Sequence, residues 1–431
     1  MSLSPAAQRP SVRPQSLAWR PRAILAALTL GVVASQAHGQ AQAAAAAQGQ
    51  TRTATPPSCT AIAWPQWSDF VKYFVQDDGR VIDASTRQRM TTSEGQSYAM
   101  FFALVANDRA TFQKLWRWSV LNLAAADIAH HLPAWSWGQL DNGSWGVLDT
   151  NSASDADLWF TYALLEAGRL WHEPDYTRDG LALLKQIEAR EIADLPGLGR
   201  MLLPAPQGFV EGGTQWRLNP SYMPIPVLRR LAQASPKGPW TQVATNTVHL
   251  IQAITPKGYA ADWVAYRSLP AVPGQQASGL GQFIPDPQHG VKGSYDAIRN
   301  YLWAGVTPAG DPASQALQTA LHGLADATAI AGAPPESVQA DSGTTQGTGP
   351  IGFSAALLPY LQARGNDVVL SAQLERVRAG LAASVSPDNL AARQPPYYDY
   401  VLSLFGTGWF EQRYRFGDAG RVSLEWEKKC P

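Results

Sequence analysis

The chain has 431 residues with 34 basic and 34 acidic side chains, so it carries no net charge with its histidines neutral. Removing an N-terminal leader that contains Arg9, Arg13, Arg20 and Arg22 leaves 30 basic against 34 acidic residues, a balance of −4 that argues against nucleic acid as a partner. The two cysteines, Cys59 and Cys430, bracket nearly all of the chain beyond the leader.

The leader is read from the stretch WRPRAILAALTLGVVASQAHG: arginines, an apolar run from Ala23 to Ala34, then small residues at Ala37 and Gly39. That is the pattern of a secretory signal peptide, assigned to residues 1–39. Its apolar run falls short of the roughly 20 residues that cross a bilayer, and no later stretch reaches that length either, so no membrane span is expected and a periplasmic or secreted protein is. Residues 40–57, rich in Ala, Gln and Thr without hydrophobic periodicity, read as a disordered linker. Residues 58–431 form the expected single domain, and an even cysteine count in an oxidising compartment predicts a Cys59 to Cys430 bridge.

Within that domain, period and capping signals predict twelve helices, starting near Trp64, Ser93, Arg109, Ser154, Asp175, Pro220, Trp240, Ser294, Pro312, Ile351, Val368 and Pro396. Twelve consecutive helices joined alternately by short and long connections predict an all-α fold, an (α/α)6 barrel of six helical hairpins. Two β-hairpins, GFVEGGTQWRL and RYRFGDAGRVSLEW, are expected to embellish its rim. In such a ring the even-numbered helices lie inside and point the same way, so their N-termini share one mouth.

The chemistry-bearing residues concentrate at those even-numbered starts: TSEGQSY, SASDADLW, NPSY, GSYDAIRNYLW, GPIGFSAA and PPYYDY. Ser93 with Gln96, and Ser154 with Asp157, are read as capping boxes, which leaves Glu94 and Asp155 at equivalent positions just inside their helices. Asp157 points about 200° away from Asp155 around the helix, so Asp155 is assigned to the cleft and Asp157 to structure. Asp296 has Arg299 three residues on, a cation that would hold it ionised and oriented as a general base. Trp135, Trp137 and Trp145, like Trp216, fall in what read as Gly/Asn/Asp-rich connections, where flat rings beside hydrogen-bonding acids suit the apolar faces and hydroxyl rims of sugars.

Other chemistries find little support, and neither metal nor cofactor is expected. The histidines form no HExxH, His130 and His131 read as a solvated loop, no phosphate-binding glycine loop is present, and the GLGR at Gly197 reads as a turn.

The stretch ASDADLWFTYALLEAGRLW, Ala153 to Trp171, resembles the signature of family 8 glycoside hydrolases, A-[ST]-D-[AG]-D followed by an amphipathic helix ending in Trp. It departs at Phe160 and Thr161, where the pattern prefers Ile or Met and then Ala. The segments TSEGQSY, NPSY and SYDAIR fall in the family's order, and the likeness runs from about Cys59 to Cys430. The resemblance implies an inverting, endo-acting hydrolase of β-1,4-glucan, with Glu94 as proton donor, Asp296 as general base and Asp155 as a sugar-binding, electrostatic residue. It implies Tyr222 and Arg299 as partners of the base and its water. It also implies a monomer working beside the cellulose synthesis and export machinery. A catalytically silent glucan-binding barrel, and a hydrolase of chitosan or xylan on the same fold, stand as alternatives. A general acid at a helix N-terminus is in tension with the dipole, which favours the anion, so the Asp155 charge and desolvation are expected to act against it.

Overall fold

The computed structural model describes residues 63–269 and 279–428, all within the compact unit Pro56–Pro431. The leader, the linker, Cys59 and Cys430 lie outside the described residues.

Among the described residues there are fourteen α-helices. They are α1 (Pro65–Phe74), α2 (Ser93–Val105), α3 (Arg109–Leu123), α4 (Ser154–Trp171), α5 (Pro174–Arg190), α6 (Ile225–Ala234) and α7 (Trp240–Ile254). The second half holds α8 (Ile298–Val306), α9 (Pro312–Ala320), α10 (Gly323–Ala331), α11 (Ile351–Ala363), α12 (Asp367–Ser384), α13 (Pro387–Ala392) and α14 (Tyr397–Phe410). Helix α2 packs on α4, α4 on α6, α6 on α8, α8 on α11, α11 on α14, and α14 returns to α2, so six helices close an inner ring. Each has an outer neighbour: α3, α5, α7, α9, α12 and, for α14, α1. This is the expected (α/α)6 barrel. The short helices α10 and α13, which the pattern did not announce, extend the outer layer after α9 and α12.

The two layers differ in burial for a physical reason. Every residue of α2 except Glu94 is buried, and α11 is buried from Gly352 through Leu361, so these two inner helices are enclosed on every side. In α5, by contrast, only Gly180, Leu183, Leu184 and Ile187 are buried, a single stripe facing inward. The inner helices also approach unusually closely. A Cβ on Gly406 of α14 would sit 1.9 Å from the Ala355 carbonyl oxygen, and one on Gly305 of α8 would sit 2.2 Å from the Tyr360 nitrogen, both on α11. Only glycine permits that contact. Aromatic rings fill the ring's axis, with Phe102 and Phe405 4.6 Å apart and Phe101 and Trp159 5.0 Å apart between centroids.

Strand content exceeds the two expected hairpins. The hairpin at 414–416 and 422–424 forms as expected. The expected hairpin of Val210–Glu211 with Gln215–Leu218 forms too, as part of a four-stranded antiparallel sheet with Val264–Ser268 and Gly281–Pro285. Trp216 therefore lies on a strand, 7% exposed, rather than in a loop. A three-stranded sheet joins Thr91–Thr92, Ser136–Gln139 and Trp145–Asp149, so Trp137 and Trp145 also lie on strands. A second joins Lys292–Gly293, Ser337–Gln339 and Thr345–Gln346, and the GLGR turn closes the hairpin of Ile192–Leu195 with Gly199–Leu202. No helix among the described residues is long and apolar enough to cross a membrane.

Candidate active site

The start of α2 is capped by Thr92, not Ser93: the Thr92 side chain accepts from the Gly95 N–H at 3.0 Å. Gln96 does not close a box either, because distant partners claim its carboxamide. Its Oε1 accepts from the Val81 N–H at 2.6 Å, and its Nε2 donates to the carbonyls of Gly79 and Leu115 and to Ser119. In α4 the cap is Ala153, with no side-chain bond, so the Ser154–Asp157 box is absent as well. The one-residue shift affects both helices alike. Glu94 and Asp155 each occupy the second helical position, facing the same mouth.

Arg299, on the first turn of α8 and 4% exposed, is where the carboxylates meet. Its Nη1 lies 3.1 Å from Glu94 Oε2, and its Nη2 lies 3.0 Å from Asp296 Oδ1 and 3.9 Å from Asp155 Oδ2. Because one planar guanidinium joins them, the contacting oxygens of Glu94 and Asp296 lie no more than roughly 8.5 Å apart. The same cation donates to Ser221 Oγ at 2.9 Å and to the Tyr398 hydroxyl at 3.2 Å, and Tyr398 in turn donates to the Tyr295 carbonyl. Tyr222, half-buried in the turn Pro220–Tyr222, has its ring 5.8 Å from the guanidinium. Burial, then the Asp155 and Asp296 charges, push its phenol well up, so it faces the site as a hydroxyl donor.

Asp155 and Glu94 lie side by side. Asp155 Oδ2 is buried and receives no donor from elsewhere, yet it lies within hydrogen-bonding reach of Glu94. Burial, followed by the Glu94 charge, raises the Asp155 carboxyl well above the usual range against the opposing pull of Arg299. Both of those influences favour the protonated form of Asp155. Asp155 is also the more deeply buried of the two, its side chain 3% exposed against 23% for Glu94. Asp157 faces the opposite way, toward Glu191, as the helical geometry predicts.

The tryptophans separate. Trp137 and Trp145 stack with centroids 5.5 Å apart and planes at 16°, and the Arg80 guanidinium lies 4.5 Å and 4.6 Å from the two rings. Trp145 is 45% exposed. This stack adjoins the mouth, because Thr91 and Thr92, which lead into Glu94, pair with Trp137 and Ser136. Trp135 stands outside the stack, and its backbone carbonyl accepts the Ser93 N–H.

Four participants are not evident from the sequence. Asp262 accepts from the Ser294 and Ala297 N–H groups, both at 2.7 Å, and so holds the turn that carries Asp296. Ser221 and Tyr398 orient Arg299, and both sit inside the NPSY and PPYYDY segments. Trp263 is stacked between Phe209 and His289 with its edge against Tyr222, a second aromatic wall. Asp262 and Trp263 had no local signal, since they act on residues far along the chain.

Comparison with known proteins gives one consistent picture. Residues 53–412 match the family model described as glycosyl hydrolases family 8. A protein of Pseudomonas fluorescens strain SBW25 named endoglucanase is 46% identical over 374 residues, covering 85% of this chain and 92% of that one. One of Xanthomonas axonopodis pv. citri strain 306, also named endoglucanase, is 47% identical over 373 residues, covering 86% and 91%. The crystal structure of an endo-1,4-D-glucanase from Vibrio fischeri ES114 superposes with a TM-score of 0.74 at 38% identity, covering 85% of this chain and 100% of that one.

Proposed function

The chain belongs to family 8 of the glycosyl hydrolases, and on that premise we propose that it is an endo-acting β-1,4-glucanase that cleaves with inversion of the anomeric carbon. The observation that carries the reading is Arg299, which gathers Glu94, Asp155 and Asp296 at the N-terminal mouth of the inner ring. Glu94 delivers its proton to the glycosidic oxygen as the bond to the anomeric carbon breaks. Asp296, paired with Arg299, takes a proton from a water whose oxygen bonds to that carbon from the opposite face. The guanidinium keeps the two carboxyls inside the upper limit of about 9.5 Å for an inverting pair. The proton delivered is one that Glu94 shares with Asp155, and Asp155, left beside it, stabilises the charge of the distorted sugar. Tyr222 supports the water and the base.

The substrate reading draws on the relatives named endoglucanase and on the Trp137–Trp145 stack, which offers an apolar ring face of the kind a glucan chain covers. Reducing-sugar release from carboxymethylcellulose, chitosan and xylan in parallel tests it: turnover on carboxymethylcellulose is expected, and activity confined to chitosan or xylan would overturn it.

The leader and the cysteine pair support export, with cleavage after the signal peptide, a bridge between Cys59 and Cys430, and a place beside the machinery that makes and exports cellulose. Thiol titration of the denatured, unreduced exported protein should find no free cysteine. Two free thiols would remove the bridge.

A further inference from the structure

Behind the catalytic mouth, on the face of α4 turned away from Arg299, lies a second pair of acids that the reaction does not use. Asp157 and Glu191 are both 0% exposed, and their carboxyls lie within hydrogen-bonding reach of each other. Among the described residues the one donor supplied to them is the Ser152 hydroxyl, 2.5 Å from Glu191 Oε1. Both oxygens of Asp157 and the Oε2 of Glu191 are buried without any other partner among those residues. Two anions cannot be stored in that setting, because each would lose its hydration and repel the other with no cation to compensate.

The surrounding charges do not supply one. On its own helix Asp157 faces only Asp155, itself directed to Glu94 of α2 and Arg299 of α8. The cations on the elements packed against α4 are turned elsewhere: Arg230 of α6 and Arg169 of α4 itself are bound to Glu166 near the helix's other end, Arg229 of α6 to Asp311, and Arg178 of α5 to Asp175 and Asp179. Arg190 of α5, beside Glu191 in the chain, is exposed and donates to the His130 carbonyl, and Lys185 of α5 is exposed. What remains is a proton between the carboxyls, in an arrangement where one acid donates to the other.

The pair's position gives it a task. Glu191 follows the last turn of α5, where its carbonyl accepts from the Leu203 N–H at 2.7 Å, and the neighbouring Pro204 carbonyl accepts from the Ser154 N–H at 2.9 Å. The first turn of α4 is thus docked on the junction between α5 and the 192–202 hairpin through one backbone bond and one side-chain contact. The helix has no side-chain cap of its own to fix it. Asp155 is two residues from Asp157 in that turn. We propose that Asp157 and Glu191 share a proton, one neutral acid bonded to one carboxylate in place of two anions, and that this pair is the positioning device that holds the first turn of α4, and with it Asp155, against the cleft. The role rests on the reading of Asp155 as a functional residue, whereas the shared proton does not.

The charge state sets a sign for the pH dependence. Burial pushes Glu191 up to about 8 and Asp157 well above its ordinary range, so the folded chain holds protons that the unfolded chain releases near the usual carboxylate range. The contribution of the pair is complete below that range and is lost as pH rises toward and through 8.

The experiment compares full-length wild type with Glu191→Gln, Asp157→Asn and Glu191→Ala. Either amide reproduces the donor–acceptor bond with one acid fewer to titrate. The thermal midpoint of the wild type should fall more steeply between pH 6 and pH 9 than that of either amide variant. Parallel curves would overturn the shared proton whatever the enzyme does. On carboxymethylcellulose, Glu191→Ala should lose about tenfold or more in kcat with KM changed less than about threefold, and Glu191→Gln should recover most of that loss. A Gln variant as impaired as the Ala variant would overturn the positioning role. Failure of both amide variants to fold would overturn the proposal outright, since a neutral amide then could not stand where a neutral acid is claimed.

Discussion

Arg299 bridges Glu94 and Asp296: one nitrogen of its guanidinium lies 3.1 Å from the glutamate and the other 3.0 Å from the aspartate. The two carboxylates come from α2 and from the turn before α8, so a single buried cation fixes their spacing. A lysine carries the charge but has one nitrogen on a flexible stem and cannot span both. Arg299→Lys should therefore lose on the order of 10² in kcat while unfolding cooperatively at a midpoint within a few degrees of wild type. Wild-type turnover in the Lys variant would show that the bridge is dispensable.

The acid and base are separable by leaving group. Glu94→Gln removes proton donation and Asp296→Asn removes water activation, each costing on the order of 10² or more in turnover. An aryl glucoside with a good leaving group needs little protonation, so it should partly restore Glu94→Gln but not Asp296→Asn. Proton NMR of the first product from a β-linked glucan should show an α reducing end. A β product, or equal rescue of both variants, would refute inversion with these roles.

Much of this arrangement is legible in the chain because each inner helix begins with a distinctive group of residues, and a barrel gathers those beginnings. The positions of Glu94, Asp155, Asp296 and Arg299 could be read that way. The capping boxes could not, since Thr92 and Ser93 are both competent caps and only the distant Val81, Gly79, Leu115 and Ser119 decide what Gln96 does. Asp262 carries no local signal for a related reason: it serves N–H groups 32 and 35 residues away. The extra strands are two to five residues long, too short for alternation to register before pairing creates them.

Asp155 gives a pH prediction. Its carboxyl is raised well above the usual range by burial and by Glu94, so folding retains a proton there that the unfolded chain gives up. The stability it contributes is complete below the ordinary aspartate pKa and is lost as pH rises through the raised value. Asp155→Asn should flatten the fall of the thermal midpoint toward alkaline pH and lower kcat sharply. An unchanged pH slope would mean that Asp155 is ionised in the folded protein.

Gly95 follows Glu94 for a steric reason. A Cβ there would lie 2.2 Å from the Tyr397 hydroxyl of α14, which is buried against it. Gly95→Ala should displace Tyr397 or the first turn of α2, lowering kcat roughly tenfold or more and costing about 1–3 kcal/mol in denaturant unfolding. Gly95→Ala combined with Tyr397→Phe, which removes the clashing oxygen, should recover part of both. No recovery in the pair would place the clash elsewhere.

Trp145 is the exposed member of the tryptophan stack, so its removal should affect ligand more than fold. Trp145→Ala is expected to weaken binding of long cello-oligosaccharides by roughly 2- to 12-fold, the worth of a ring contact of about 0.5–1.5 kcal/mol, with little change for short ones. A drop in thermal midpoint without a change in affinity would assign the ring to packing.

The closure of the inner ring by α14 on α2 also dictates when the enzyme comes into being. Tyr397 rests on Gly95 across about 300 residues of chain, and Arg299 must find Glu94 across about 200. Pairings of that sequence separation form late, after the intervening hairpins have folded. During synthesis Glu94, Asp155, Asp296 and Arg299 all emerge before α14, so a chain that stops short of α14 carries its reacting groups in a ring with one wall missing.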